Sequence, residues 1–146
     1  MKRLLLIVLP LLLIVGCEDT TEPVNPLIGV YNMTRISFVI YSSPDETYTF
    51  NHDGSNTYMV MILGDDDVYS FQGKLDGDVV SEGGTWSDTG NKLSLVSSDG
   101  DSEIGDYIVS GILDYTLSGN NLHMEISYPS GFDSYGHTIS YDFTKE

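Results

Sequence analysis

YIVSGILDYTLSGNNLHMEISY, residues 107–128, alternates between apolar and polar side chains on both sides of a Ser-Gly-Asn turn. In its first half one face collects Tyr107, Val109, Gly111, Leu113, Tyr115 and Leu117. After the turn, one face collects Leu122, Met124, Ile126 and Tyr128, with His123, Glu125 and Ser127 opposite. Successive side chains of a β-strand point to opposite faces, so the stretch predicts two antiparallel strands with one buried and one solvated face.

The period of two continues along the chain, and no amphipathic helix pattern interrupts it. Ten tyrosines and five phenylalanines, with many Thr, Val and Ile, suit a pleated surface. Turn pairs that accept positive φ separate the runs, as at Asp53-Gly54, Asp76-Gly77 and Asp99-Gly100. The predicted strands are 28–41, 46–52, 57–63, 68–74, 78–87, 92–98, 104–117, 121–128 and 137–144.

Eight or nine consecutive strands with short connections predict an all-β fold, an antiparallel up-and-down meander. Closure of the meander into a barrel removes its unpaired edges. A barrel of about eight strands has an interior that side chains fill or that holds one small ligand. The alternative architecture is a two-sheet β-sandwich.

The N-terminus has the layout of a secretory signal. Lys2 and Arg3 precede an apolar run from Leu4 to Val15, which at 12 residues is shorter than the roughly 20 that a membrane-spanning helix needs. The run ends Ile14-Val15-Gly16-Cys17, which resembles the lipobox of bacterial lipoproteins. The resemblance implies cleavage after Gly16 and a diacylglyceride on Cys17; the alternative is an ordinary secretory signal.

This interpretation divides the chain into three parts: a signal peptide at 1–16, a lipidated acidic tether at 17–26 and a β-barrel domain at 27–146. Cys17 is the single cysteine, so no internal disulfide is possible, and acylation would account for an exported thiol. We therefore predict an extracytoplasmic protein that the lipid on Cys17 anchors to the bacterial cell envelope, at the periplasmic or the surface face of the outer membrane.

The chain is strongly acidic, with 22 Asp and Glu residues against six Lys and Arg residues and a net charge of −16. Two of the basic residues, Lys2 and Arg3, belong to the predicted signal. Such a charge repels nucleic acid and anionic lipid surfaces, so we predict no nucleic-acid partner.

Three stretches resemble the lipocalin-like lipoproteins of bacteria: Leu27-Ile28-Gly29-Val30-Tyr31, residues 48–54 (YTFNHDG) and residues 84–95 (GTWSDTGNKLSL). The family's first strand usually carries Gly-x-Trp, whereas Gly29 and Tyr31 occupy the matching positions here. The resemblance implies an antiparallel barrel whose relatives carry small apolar molecules.

No residue pattern indicates catalysis. His52, His123 and His137 lack the spacing of a zinc site, and no Gly-x-Ser-x-Gly elbow occurs, so we predict neither an enzyme, nor a metal site, nor a cofactor. The function predicted is binding of a small apolar or amphipathic molecule, or a non-enzymatic envelope accessory role. The alternative is a β-sandwich module that binds a partner protein or polysaccharide. The candidate ligand-binding residues are Tyr31, Trp86, Tyr107, Tyr115 and Phe143.

Overall fold

The computed structural model describes residues 24–42, 44–98, 111–130 and 135–146. The predicted signal peptide, Cys17 and most of the tether lie outside these residues, as does Tyr107. The described part is all-β and contains nine strands: β1 (Gly29–Ile40), β2 (Glu46–Asn51), β3 (Tyr58–Leu63), β4 (Val68–Leu75), β5 (Asp78–Asp88), β6 (Lys92–Ser97), β7 (Gly111–Ser118), β8 (Asn121–Tyr128) and β9 (His137–Lys145).

The strands form an antiparallel meander that closes into an eight-stranded barrel with one extra strand. Neighbouring strands pair in the order β1-β3-β4-β5-β6-β7-β8-β9, and β9 pairs back onto β1 from Tyr31 to Ile40. The predicted barrel is therefore confirmed. The two-sheet sandwich is wrong, because the nine described strands belong to one sheet that closes through the β1–β9 pairing. The architecture fits a lipocalin-like fold. Among the described residues, no helix is long and apolar enough to cross a membrane.

The extra strand arises because β1 is long enough to have two partners along one edge. Its first residues, Gly29 to Asn32, pair with β3, and Arg35 to Ile40 pair with β2. A register shift between Met33 and Arg35, seen in the β1–β9 ladder, separates the two halves. The strands β2 and β3 thus follow one another along β1, and the loop 52–57 connects them.

Asp53 organises this loop. Its Oδ1 atom accepts hydrogen bonds from the backbone N–H groups of Ser55, Asn56 and Thr57, each at 2.8 Å. These bonds, led by the one from Thr57, stabilise the carboxylate and lower its pKa to about 2. The pair Asp53-Gly54 therefore separates two strands, as predicted, but it lies in a six-residue connection between β2 and β3, which both pair with β1.

The other glycine turns behave as predicted where they are described. Asp76 and Gly77 both have positive φ, 52° and 93°, and connect the paired ends Leu75 and Asp78. Two central residues at positive φ are the mark of a type I′ hairpin, whose twist matches that of the strands. The predicted pair Asp99-Gly100 lies outside the described residues.

The inward face of the barrel forms one apolar core. The alternation predicted for residues 111–128 is confirmed, because Leu113, Leu122 and Met124 are buried while Ile112 and Glu125 are exposed. The buried apolar side chains of the described residues are Leu27, Tyr31, Met33, Ile36, Met59, Met61, Leu63, Tyr69, Phe71, Leu75, Val80, Trp86, Leu93, Leu95, Leu113, Leu122, Met124, Ile139, Tyr141 and Phe143.

Candidate functional site

One end of the barrel, which we call the sealed end, is closed by the segment that leads into β1. Leu27 is fully buried, and its carbonyl oxygen accepts a hydrogen bond of 2.7 Å from the hydroxyl of Tyr31, which is also fully buried. Lys145 donates to the carbonyl oxygen of Pro26 at 2.7 Å, and its ammonium lies 5.7 Å from the Tyr31 ring centroid. These contacts hold the segment that leads into β1 across the sealed end of the barrel.

Two further aromatic residues donate hydrogen bonds to the turns at the sealed end. The indole N–H of Trp86 donates to the carbonyl oxygen of Gly64 at 3.0 Å. The hydroxyl of Tyr115 donates to Asp88 Oδ1 at 2.8 Å and also lies 3.1 Å from the carbonyl oxygen of Gly90. Burial, followed by the bond to Asp88, raises the pKa of Tyr115 to about 12. The phenol therefore stays neutral and remains a donor at physiological pH.

The predicted ligand-binding residues thus occupy two regions. Tyr31, Trp86 and Tyr115 hold the sealed end through hydrogen bonds. Phe143 lies in the core, where its ring centroid is 6.3 Å from that of Phe71. Tyr107 lies outside the described residues. The structure gives Tyr31, Trp86, Tyr115 and Phe143 sealing and packing roles. Contact of any of the five candidates with a ligand stays a prediction.

A polar group that the sequence analysis did not single out lies inside the barrel. Glu82 is only 5% exposed and is paired in register with the buried Phe71 on β4. Its Oε1 atom accepts a hydrogen bond of 2.7 Å from the hydroxyl of Tyr69, which is buried on the same wall. We call Tyr69, Glu82 and Tyr141 the interior polar cluster, because the charge of Glu82 also reaches the phenol of Tyr141.

The electrostatics of the interior polar cluster keep its phenols neutral. Burial raises the pKa of Tyr69, and the hydrogen bond and negative charge of Glu82 raise it further. Burial likewise raises the pKa of Tyr141 well above its ordinary value, with smaller contributions from Tyr128 and Glu82. Both phenols can therefore donate a hydrogen bond and accept one, while Glu82 supplies acceptor oxygens.

Aromatic pairs lie beyond the cluster, at the end of the barrel opposite the sealed one. The rings of Tyr128 and His137 are stacked with centroids 4.6 Å apart. Phe38 and Phe50 meet edge to face at 5.9 Å. These four side chains come from the ends of β8, β9, β1 and β2, and Phe38, Phe50 and Tyr128 pack against the core while remaining partly exposed. They form an aromatic rim above the interior polar cluster.

On the outer wall, Asp142 joins three strands. It accepts hydrogen bonds from Arg35 Nε at 2.7 Å and pairs with His123 Nδ1 at 2.7 Å. Burial alone would raise the pKa of Asp142, but the bonds to His123 and Arg35 outweigh it and lower the pKa. The His123 side chain is partly exposed, as the sequence predicted for a solvated face. Within the described ranges, no three His, Cys, Asp or Glu side chains are placed to hold a metal ion.

The sequence did contain a signal for Glu82. On β5, Val80 and Trp86 are both buried on the inward face, and the period of two places Glu82 on that same face. An acid at an apolar register position is the observation that would have identified the cluster. No family model, no curated protein and no solved structure matches this chain. The proposal for its function therefore rests on the geometry of the barrel.

Proposed function

We propose that this protein is a lipid-anchored, lipocalin-like binding protein of the bacterial envelope that holds a small amphipathic molecule inside its barrel. One observation carries the proposal: an apolar barrel interior contains a carboxylate and two phenols, Glu82, Tyr69 and Tyr141. Ligand sites are typically apolar cavities with a few convergent polar groups that fix orientation. In this protein the inward face of the closed barrel would provide the apolar surface of such a site, and the interior polar cluster would provide its polar groups.

The aromatic rim supports the same function. Phe38, Phe50, Tyr128 and His137 place flat apolar surfaces at the end opposite the sealed one. A ligand whose polar group reached Glu82 would leave its apolar body against these rings. We propose binding, because the interior polar cluster places a few hydrogen-bonding groups within an otherwise apolar core.

A matched pair of isoleucines tests whether binding occurs inside the barrel. Ile126 packs against the core two residues before Tyr128, whereas Ile112 is 66% exposed on the neighbouring strand. We expect Nile red, a neutral apolar dye, to gain fluorescence and saturate at one dye per barrel. Ile126→Trp should weaken that binding by filling the interior, and Ile112→Trp should leave it unchanged. A dye signal that never saturates, or one that both variants alter equally, would refute an interior site.

Cys17→Ser tests the proposed anchor. Each buried methylene of an acyl chain contributes roughly 0.8 kcal/mol to membrane association, and two or more chains anchor a protein stably. We expect wild-type protein in the membrane pellet after cell fractionation and the variant in the soluble fraction. A variant that stays in the pellet, or a mature protein whose mass shows an unmodified Cys17, would contradict acylation.

A further inference from the structure

We propose that β2 pairs with the β2 strand of a second copy of this chain, so that two barrels join edge to edge. This inference concerns the outside of the barrel and does not depend on the proposed ligand. The strand β2 (Glu46–Asn51) pairs with β1 along one edge, and no described strand pairs with its other edge. An unpaired edge presents backbone donors and acceptors to any strand that can continue the sheet.

The backbone groups of three β2 residues point to this free edge. The N–H of His52, directly after β2, donates to the carbonyl oxygen of Thr34 on β1 at 3.0 Å. Successive residues of an antiparallel strand direct their N–H and C=O groups to opposite neighbours, so the even-numbered residues of β2 bond to β1. Thr47, Thr49 and Asn51 therefore direct one donor and one acceptor each away from β1. Their side chains are exposed and leave these groups accessible from the free edge.

A second copy of β2 pairs all of these groups in one antiparallel register, in which Thr49 lies opposite Thr49 on a two-fold axis. Thr47 of each copy then lies opposite Asn51 of the other, and each opposed pair exchanges two hydrogen bonds. A shift by two residues would instead place Asn51 opposite Asp45, which precedes the strand. The geometry of the backbone groups therefore selects the register centred on Thr49.

The side chains that this register brings together are complementary. On the face where Phe50 packs against the barrel core, Tyr48 of each copy would lie opposite Phe50 of the other. Tyr48 is 49% exposed in the single chain, and aromatic pairs across strands stabilise antiparallel sheets. Glu46 would lie opposite His52, whose imidazole N–H can donate to the carboxylate. On the other face, Thr lies opposite Thr and Thr opposite Asn, which are pairs that can hydrogen-bond across strands.

The features that commonly protect an exposed strand edge are absent from β2. Such edges often carry Lys, Pro or a β-bulge, whereas β2 reads ETYTFN and pairs with β1 without a register shift. Beyond the strand ends, Asp45 of one copy would lie near Asp53 of the other. The Oδ1 atom of Asp53 already accepts three backbone hydrogen bonds within its own loop, which stabilise its charge. We therefore expect a symmetric dimer.

Sedimentation velocity measures whether this dimer forms. Full-length protein carrying Cys17→Ser is the background for every variant, because Cys17 is the single cysteine of the chain. The net charge of −16 repels a second copy, so the salt concentration is about 0.15 M, at which charges more than about 8 Å apart are largely screened. We expect a shift from monomer to dimer between about 1 µM and about 1 mM, the range typical of a small interface.

Two cysteine variants test the register. Thr49→Cys places two thiols opposite each other on the two-fold axis, where Cα atoms about 5.5 Å apart allow a disulfide. Thr47→Cys is the matched control, because it is an exposed threonine on the same face of the same strand. Since Thr47 lies opposite Asn51 in this register, its two thiols would be about 13 Å apart along the strands. We expect copper phenanthroline to link Thr49→Cys chains at least about 10-fold faster than Thr47→Cys chains.

Thr49→Pro tests the free edge directly. Its missing N–H points away from β1, and proline is accepted on an edge strand in that orientation, so pairing with β1 should persist. We expect the dimer dissociation constant to rise at least about 10-fold.

Three results would overturn the proposal. The first is a protein that stays monomeric over the whole concentration range. The second is equal linking of the two cysteine variants, which would mean random collision or another register. The third is a folded Thr49→Pro variant that dimerises as well as wild type, which would mean that another surface forms the dimer. The cysteine variants keep the test decisive even if circular dichroism shows that Thr49→Pro fails to fold.

Discussion

Tyr31→Phe tests whether a single buried hydroxyl holds the sealed end. The substitution keeps the aromatic ring and removes the donor that lies 2.7 Å from the Leu27 carbonyl oxygen. Both residues are fully buried, so water cannot replace the lost partner. A net hydrogen bond contributes about 0.5–1.5 kcal/mol, and leaving a buried acceptor unsatisfied costs about 1–3 kcal/mol. We expect a loss of about 1–2 kcal/mol in the free energy of unfolding, which corresponds to roughly 3–6 °C in Tm for a domain of this size.

Urea unfolding followed by fluorescence of Trp86, the single tryptophan, measures this loss. The difference should be constant between pH 6 and pH 9, because burial raises the pKa of Tyr31 to about 12 and the ring stays neutral there. Tyr48→Phe is the matched control: its hydroxyl also donates at 2.7 Å, to Glu46, but the residue is 49% exposed. A Tyr31→Phe variant as stable as wild type, or a control equally destabilised, would refute the reasoning.

Two further predictions concern acid stability and the core. The low pKa of Asp53, about 2 against an ordinary 3.8, means that its stabilising contribution is present above pH 4 and is lost as the pH falls towards 2. Asp53→Asn cannot titrate, so its stability relative to wild type should rise over that interval, and parallel curves would contradict this. Phe143→Ala should reduce the free energy of unfolding by about 3–5 kcal/mol because it empties a buried site. Val96→Ala, at a 59% exposed site, should change it by less than about 0.5 kcal/mol.

Much of the strand pattern could be predicted from the sequence, because strand periodicity and turn chemistry are local properties. The predicted strand 121–128 coincides with β8, and 46–52 exceeds β2 by one residue. Gly77 shows why the turns could be predicted from the sequence. Its φ of 93° is readily adopted by glycine and disfavoured for other residues. The predicted strand 104–117 can be compared only from Gly111 onwards.

The partners of β1 could not be predicted, since strand pairing is a long-range property. The sequence 28–41 reads as one continuous strand, and nothing in its alternation shows that two different strands share one of its edges. The register shift after Met33 separates those two pairings. The extra strand could therefore be identified only from the tertiary structure. Closure of the barrel could be predicted from the sequence, because closure removes unpaired strand edges.

The candidate site was harder to predict because alternation tells which side chains face inward but not how far along the barrel they lie. Strand tilt and stagger determine which inward residues share a level. Tyr31, Trp86 and Tyr115 come from three strands, yet all bond to segments at the sealed end. Tyr69 and Glu82 meet only because β4 and β5 pair in a register that brings the two residues within hydrogen-bond distance.

This distribution of polar contacts gives the two ends of the barrel different roles. At the sealed end, hydrogen bonds of Tyr31 and Trp86 end on backbone carbonyls, so opening that end would break buried bonds at several strands together. At the opposite end, the contacts of Tyr128 and His137 are between ring faces, which can separate without leaving a buried donor unpaired. A ligand of the proposed interior site would therefore enter between the rings of the aromatic rim.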